Sequence, residues 1–217
     1  MIIDIEGTDG SGKATQTKLL YDFLTASGYK CRLISFPNYD SPSSSLVKMY
    51  LNGDFSDRMD SYQISTIFAV DRLFTMNEID CSEYDFVLFD RYVPSNMIHQ
   101  STKIKDQNEL NDFLNWVQDF EYDKLKLPRP DKIIFLDMPT EFSIELARNR
   151  ASLKNGMKKD ILESDDSHMI LAYERAKYVA EKYGWIHVNC VDLNIKSEQA
   201  IHHDILKKLG LDKLISK

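Results

Sequence analysis

The chain has 217 residues, of which 43% are hydrophobic and 28% charged, with a formal net charge of −7. This length suits a single domain, residues 1–217, with a substantial core. The negative balance argues against a general surface for nucleic acid or anionic membrane, so any anionic ligand must be held by local cations.

Met1–Glu6 reads as a short buried strand and Ala14–Ser27 as a helix, with Leu19, Leu20, Phe23 and Leu24 at helical spacing and Gly28 as the stop. Between them lies Gly7-Thr8-Asp9-Gly10-Ser11-Gly12-Lys13, a glycine turn in the strand-to-helix context that phosphate binding requires. The glycines let successive N–H groups converge on one anion, the new helix adds its positive end, and Lys13 supplies a mobile cation. The pattern expects Ser or Thr next, whose hydroxyl would ligate Mg²⁺, but the residue is Ala14. Thr15, Thr17 or a water could take that place.

Lys30–Phe36 reads as a second strand stopped by Pro37, and Pro42–Leu51 as a short helix. Ser61–Ile79 reads as a longer helix carrying Ile64, Ile67, Phe68 and Phe74. Phe68 and Arg72 share one face of it, where a ring and a guanidinium could hold a nucleobase and an anionic group. Phe86–Phe89 is a continuous apolar run, as in a strand covered on both faces. It ends in Asp90-Arg91-Tyr92, where an acid that orients magnesium and an arginine that bridges phosphates would belong.

Asn108–Tyr122 reads as helix, Lys132–Leu136 as strand, Thr140–Arg150 and Ser167–Tyr183 as helices, Trp185–Val188 as a fifth strand and Ser197–Leu209 as a final helix. Strand–helix alternation implies an α/β fold with a five-stranded parallel sheet and helices on both faces, its ligands beyond the carboxyl ends of the strands. Arg148, Arg150, Lys154, Lys158 and Lys159 form a basic stretch without an acid, expected to be part of a lid at about 148–165 that closes over the transferring group. Cys31, Cys81 and Cys190 show no metal-ligand spacing. Together with the lack of a signal-peptide pattern or a membrane-length apolar run, they point to a reducing cytoplasm. Asp9, beside the expected anions, suits a sugar hydroxyl or a metal water, and equally a simple turn. Arg72 and Arg91 recur where an acceptor should sit, and no carboxylate stands out as a base. That tilts the reading toward an acceptor that is already a phosphate.

Taken together, these residues resemble the thymidylate kinase family of P-loop nucleoside monophosphate kinases. The resemblance rests on Glu6 to Gln16, Phe36-Pro37, Ile67 to Arg72, Asp90-Arg91-Tyr92, and Pro130-Asp131 with Leu136-Asp137. It implies phosphoryl transfer from MgATP to dTMP in a cytoplasmic homodimer. Gly7 to Thr15 would bind the phosphates of ATP and Asp9 the 3′-hydroxyl of the acceptor. Phe36 belongs to the acceptor side and Phe68 would stack on thymine. Arg72 would touch the base or the acceptor phosphate, Arg91 would bridge acceptor and donor, and Asp90 would orient Mg²⁺. Gln100 or Asn96 would read the base edge, and Tyr92 and Tyr173 would line the sugar pocket. The glycine loop carries no extra cation between Gly7 and Gly12, so Arg148 and Arg150 would supply it from the lid. Tyr39 stands where relatives often carry an arginine. A kinase for another nucleoside monophosphate or for a deoxynucleoside, and a catalytically weak nucleotide-binding regulator, are the alternatives. A GTPase-type switch would need an Asn-Lys-x-Asp motif, which the chain lacks.

Overall fold

The computed structural model describes residues 1–54, 58–144, 146 and 166–216. Five strands form one parallel sheet in the order β2-β3-β1-β4-β5. They are β1 (Ile2–Glu6), β2 (Cys31–Ser35), β3 (Phe86–Asp90), β4 (Lys132–Asp137) and β5 (Ile186–Asn189). The helices between them are α1 (Lys13–Ala26), α2 (Ser45–Leu51), α3 (Ser61–Asn77), α4 (Val93–His99), α5 (Gln107–Gln118), α6 (Asp166–Lys182) and α7 (Glu198–Leu209). All five strands expected from the apolar runs are present, within a residue or two at each end.

Three local features differ from the sequence reading. Helix α4 was not expected from the sequence; Pro94 occupies its first turn, where its missing N–H costs nothing. The helix expected to run to Tyr122 instead ends at Gln118 and widens into a π-helical turn, Asp119–Lys124. Phe74 lies on the open side of α3 and is 59% exposed. The start of α3 is set by a capping box, in which Asp60 accepts from the Gln63 amide and the Gln63 side chain accepts from that of Asp60.

Side-chain alternation along β1 divides the core. Ile3 and Ile5 pack with Leu20, Leu24, Leu88 and Ile134 under α1 and α7. The opposite face, with Phe36, Phe89, Tyr92, Phe113 and Val117, lies under α3, α4 and α5. Asp4 and Glu6 point to that second face, and both are fully buried. Neither carboxyl oxygen of Asp4 has a hydrogen-bond partner among the described residues. Burial, with repulsion from Glu6 and Asp90, raises its pKa well above the ordinary aspartate value and favours the neutral acid.

The folded state therefore binds a proton at Asp4 that the unfolded chain has lost, and stability falls as pH rises from the ordinary aspartate range toward the raised value. Asp4→Asn is expected to remove this part of the slope, at most about 1.4 kcal/mol per pH unit. Denaturant unfolding at pH 5 and pH 8 should show the variant gaining on the parent at the higher pH. An unchanged difference would mean that Asp4 is not protonated.

Candidate active site

The carboxyl ends of β1 and β3 lie side by side, with Ile5 opposite Asp90. This register brings the glycine loop and the Asp90-Arg91 turn together. In the loop, Gly12 adopts a left-handed conformation (φ 88°) as the residue before α1. The hydroxyls of Thr8 and Ser11 are buried without hydrogen-bond partners among the described residues. Lys13 Nζ folds back to donate to the Thr8 carbonyl at 2.7 Å. Burial, with Arg91 nearby, lowers the Lys13 pKa to about 8, against the pull of Asp9, Asp90 and Glu6. Thr17 is fully buried and donates its hydroxyl to the Lys13 carbonyl at 2.8 Å, while Thr15 is half-buried.

Arg91 sits at φ 69°, a conformation that a side chain rarely adopts. Glu6 stabilises the turn by accepting from the Tyr92 amide and the Ser95 hydroxyl, each at 2.9 Å. The guanidinium is thereby aimed across the cleft. It pairs with the Asp9 carboxylate and approaches Ser95 Oγ at 3.4 Å and His99 Nε2 at 2.8 Å. Arginine can only donate, so His99 Nε2 must accept and the ring is neutral. Burial and the adjacent Arg91 hold its pKa well below 6.5. Burial opposes the charge on Asp9, but Arg91 and Lys13 outweigh it and keep the carboxylate ionised far below the usual range.

Beside this pair opens a cavity of about 190 Å³, lined by Phe36, Tyr39, Phe68, Arg72, Asn96 and Gln100, among others. Phe68 is half-buried and braced edge-on by Tyr50, with ring centroids 6.0 Å apart. Arg72 is 2% exposed, and its Nε and Nη2 donate to the two oxygens of Glu121 at 2.6 and 2.8 Å. Asn96 Nδ2 donates to the Ser65 carbonyl at 3.0 Å and to Glu121 at 2.8 Å. Asp71, also buried, accepts from the Asn38 amide and the Ser43 hydroxyl, tying the segment after β2 to α3 and bringing Phe36 and Tyr39 to the cavity.

Most of the sequence-predicted residues thus meet here: Asp9, Phe36, Phe68, Arg72, Asn96, Gln100 and Arg91 line one cavity, with the glycine loop and Asp90 at its edge. Two do not. Tyr92 was expected at the sugar, but its ring is fully buried, stacked on Phe89 at 4.1 Å, because the strained turn at Arg91 sends alternate side chains to opposite sides. Tyr173 donates its hydroxyl to Asp137 at 2.7 Å and is not among the residues lining the cavity. Arg148 and Arg150, and the lid as a whole, lie outside the described residues.

Sequence reasoning missed Ser95, His99 and Glu121. Glu121 carried a signal: helical spacing places it on the stripe of Leu114 and Val117, where a lone carboxylate calls for a buried partner.

The comparisons with known proteins agree with this geometry. The family model described as thymidylate kinase matches residues 5–200. The thymidylate kinase of Mycobacterium tuberculosis is 34% identical over 169 residues, covering 76% of this chain and 78% of that protein. A probable thymidylate kinase of Methanococcus aeolicus is 32% identical over 215 residues, covering 98% and 97%. Among solved structures, thymidylate kinase from Candida albicans superposes with a TM-score of 0.70 at 21% identity, covering 98% of this chain and 92% of that one. A deoxyadenosine kinase from M. mycoides gives 0.65 at 17%, covering 97% and 99%, so the fold itself is shared across kinases of different acceptors. With the family match running through nearly the whole sheet and one relative spanned almost end to end, the chain belongs to the thymidylate kinase family.

Proposed function

We propose that this cleft transfers the γ-phosphoryl group of ATP to dTMP, giving ADP and dTDP. An oxygen of the acceptor phosphate forms the new bond to the γ-phosphorus, and the bond to the β-phosphate bridge breaks. The acceptor is already an oxyanion, so the protein's task is alignment and charge relief, not proton removal. The loop amides and Lys13 hold the donor phosphates, and Arg91 lies between donor and acceptor. Phe68 faces the base, and Asp9 meets the 3′-hydroxyl once the acceptor displaces part of its contact with Arg91.

Magnesium fits the site in a limited way. Among the described residues no cluster of three or more His, Cys, Asp or Glu could hold a metal alone. Half-buried Asp90, beside the loop, would hold Mg²⁺ together with phosphate oxygens and waters, a mixed set that this ion favours. When bound, the ion would neutralise charge on the phosphates. Arg148 and Arg150 are the candidate cations on the lid. Pairing of two copies rests on the likeness to the family. Three free thiols suit a reducing cytoplasm, and no described helix is long and apolar enough to cross a membrane.

The observation that carries the choice of base is the wall formed by Arg72 and Asn96. Arg72 offers donors; Asn96, with both its N–H groups consumed, offers only its Oδ1 acceptor. A carbonyl beside an N–H, as on thymine, complements that pair. With Mg²⁺ and ATP, coupled ADP detection is expected to report rapid turnover on dTMP, slower turnover on dCMP, and none on thymidine. Faster turnover on thymidine than on dTMP would overturn the reading.

A further inference from the structure

We infer that Glu121, which lies behind the cavity wall, determines which bases the cleft accepts. It does so as a positioning residue that fixes the donor–acceptor polarity of Arg72 and Asn96. The inference rests on the dTMP reading and extends it to a residue outside the cavity lining.

Glu121 comes from the π-helical turn that follows α5 and is 1% exposed. Its two oxygens accept three hydrogen bonds: from Arg72 Nε at 2.6 Å, from Arg72 Nη2 at 2.8 Å and from Asn96 Nδ2 at 2.8 Å. The other N–H of Asn96 goes to the Ser65 carbonyl at 3.0 Å. An ionised carboxylate and a backbone carbonyl can only accept. If the Asn96 amide turned over, its oxygen would face two acceptors in a buried site, an arrangement with no compensating bond. The amide is therefore locked with Oδ1 toward the cavity. The same carboxylate takes the Nε edge of Arg72 and leaves Nη1, which makes only a long 3.4 Å contact to the Tyr92 carbonyl among the described residues, as a donor for the ligand.

The wall thus presents one donor and one acceptor. Thymine offers a carbonyl and an N–H in the complementary order, whereas cytosine offers an amino group and a bare nitrogen, mismatched at both positions. In this arrangement a single buried carboxylate sets both halves of the code.

The test is the ratio of kcat/KM for dTMP to that for dCMP, measured on one preparation so that any inactive fraction cancels. In Glu121→Gln one acceptor becomes an amide donor, which lets Asn96 turn and offer an N–H to the cavity. The Ser65 carbonyl still opposes that turn, so the ratio is expected to fall by about tenfold and not to vanish. Glu121→Asp keeps the charge that buried Arg72 needs, so it protects folding if the glutamine variant is lost. One methylene shorter, it cannot serve Arg72 and Asn96 together, and its ratio should fall several-fold. A purely structural Glu121 would lower both activities in proportion, and an unchanged ratio in both variants would overturn the inference. If the parent enzyme shows no preference for dTMP over dCMP, the base reading fails first and the role of Glu121 falls with it.

Discussion

Arg91→Ala is expected to lower turnover of ATP with dTMP by about a thousandfold, the scale seen when a cation aimed at a transferring phosphoryl group is removed. The expectation rests on how the guanidinium is held. Its backbone is fixed in a left-handed turn, and its fork contacts Asp9 through one nitrogen and His99 through another. Such a group needs no reorganisation when charge builds up between the two phosphates, and that preorganisation is what makes it effective. The substitution is also a fair one. Alanine and arginine both carry a Cβ, so the strain at φ 69° is unchanged and the melting temperature should move little relative to the loss of rate. Arg91→Lys should recover only a small part, since a point charge cannot span two partners as a fork does. Steady-state kcat beside a thermal melt decides the matter: near-normal turnover in a folded Arg91→Ala protein would remove Arg91 from the chemistry.

The sheet was legible because parallel strands buried on both faces write themselves as apolar runs, as in Phe86–Phe89 and Ile133–Leu136. The position of the site followed, since strand–turn–helix at Gly7–Lys13 fixes which end of the sheet meets phosphate. The polar connections between segments far apart in sequence were less legible. Glu121 lies 49 residues from Arg72, and nothing local pairs them. Their meeting depends on α5 giving way to a wider turn. His99 was not singled out in the sequence, and its tautomer follows only from the arginine beside it. Tyr92 shows the opposite error. The resemblance placed its ring at the sugar, yet that ring turns into the core and stacks on Phe89.

Gly10→Ala should damage both the fold and donor binding, for a reason that the phosphate-loop pattern does not contain. That pattern demands glycine at Gly7 and Gly12 and leaves position 10 free. In the structure Gly10 has φ 82°, and a methyl group built there would lie 2.2 Å from the carbonyl oxygen of Ser143 and 2.9 Å from its carbonyl carbon. Both are backbone atoms of the helical segment after β4, where Ser143 is fully buried, so neither can swing aside as a flexible side-chain tip could. The loop and that segment must separate. Gly12 supplies the control. It has φ 88°, nearly the same strain, but among the described residues, its chain neighbours aside, no atom would lie within 4 Å of its Cβ. Both alanine variants should lose about 1 kcal/mol or somewhat more to the left-handed backbone. Gly10→Ala should lose a further 1–3 kcal/mol or so for the overpacked contact. Because the displaced loop is the one whose amides converge on the donor, the KM for ATP in Gly10→Ala should rise at least about tenfold. Denaturant unfolding of the two variants side by side isolates the contact from the strain. Equal losses would show that the close approach of Gly10 to Ser143 does not constrain the loop.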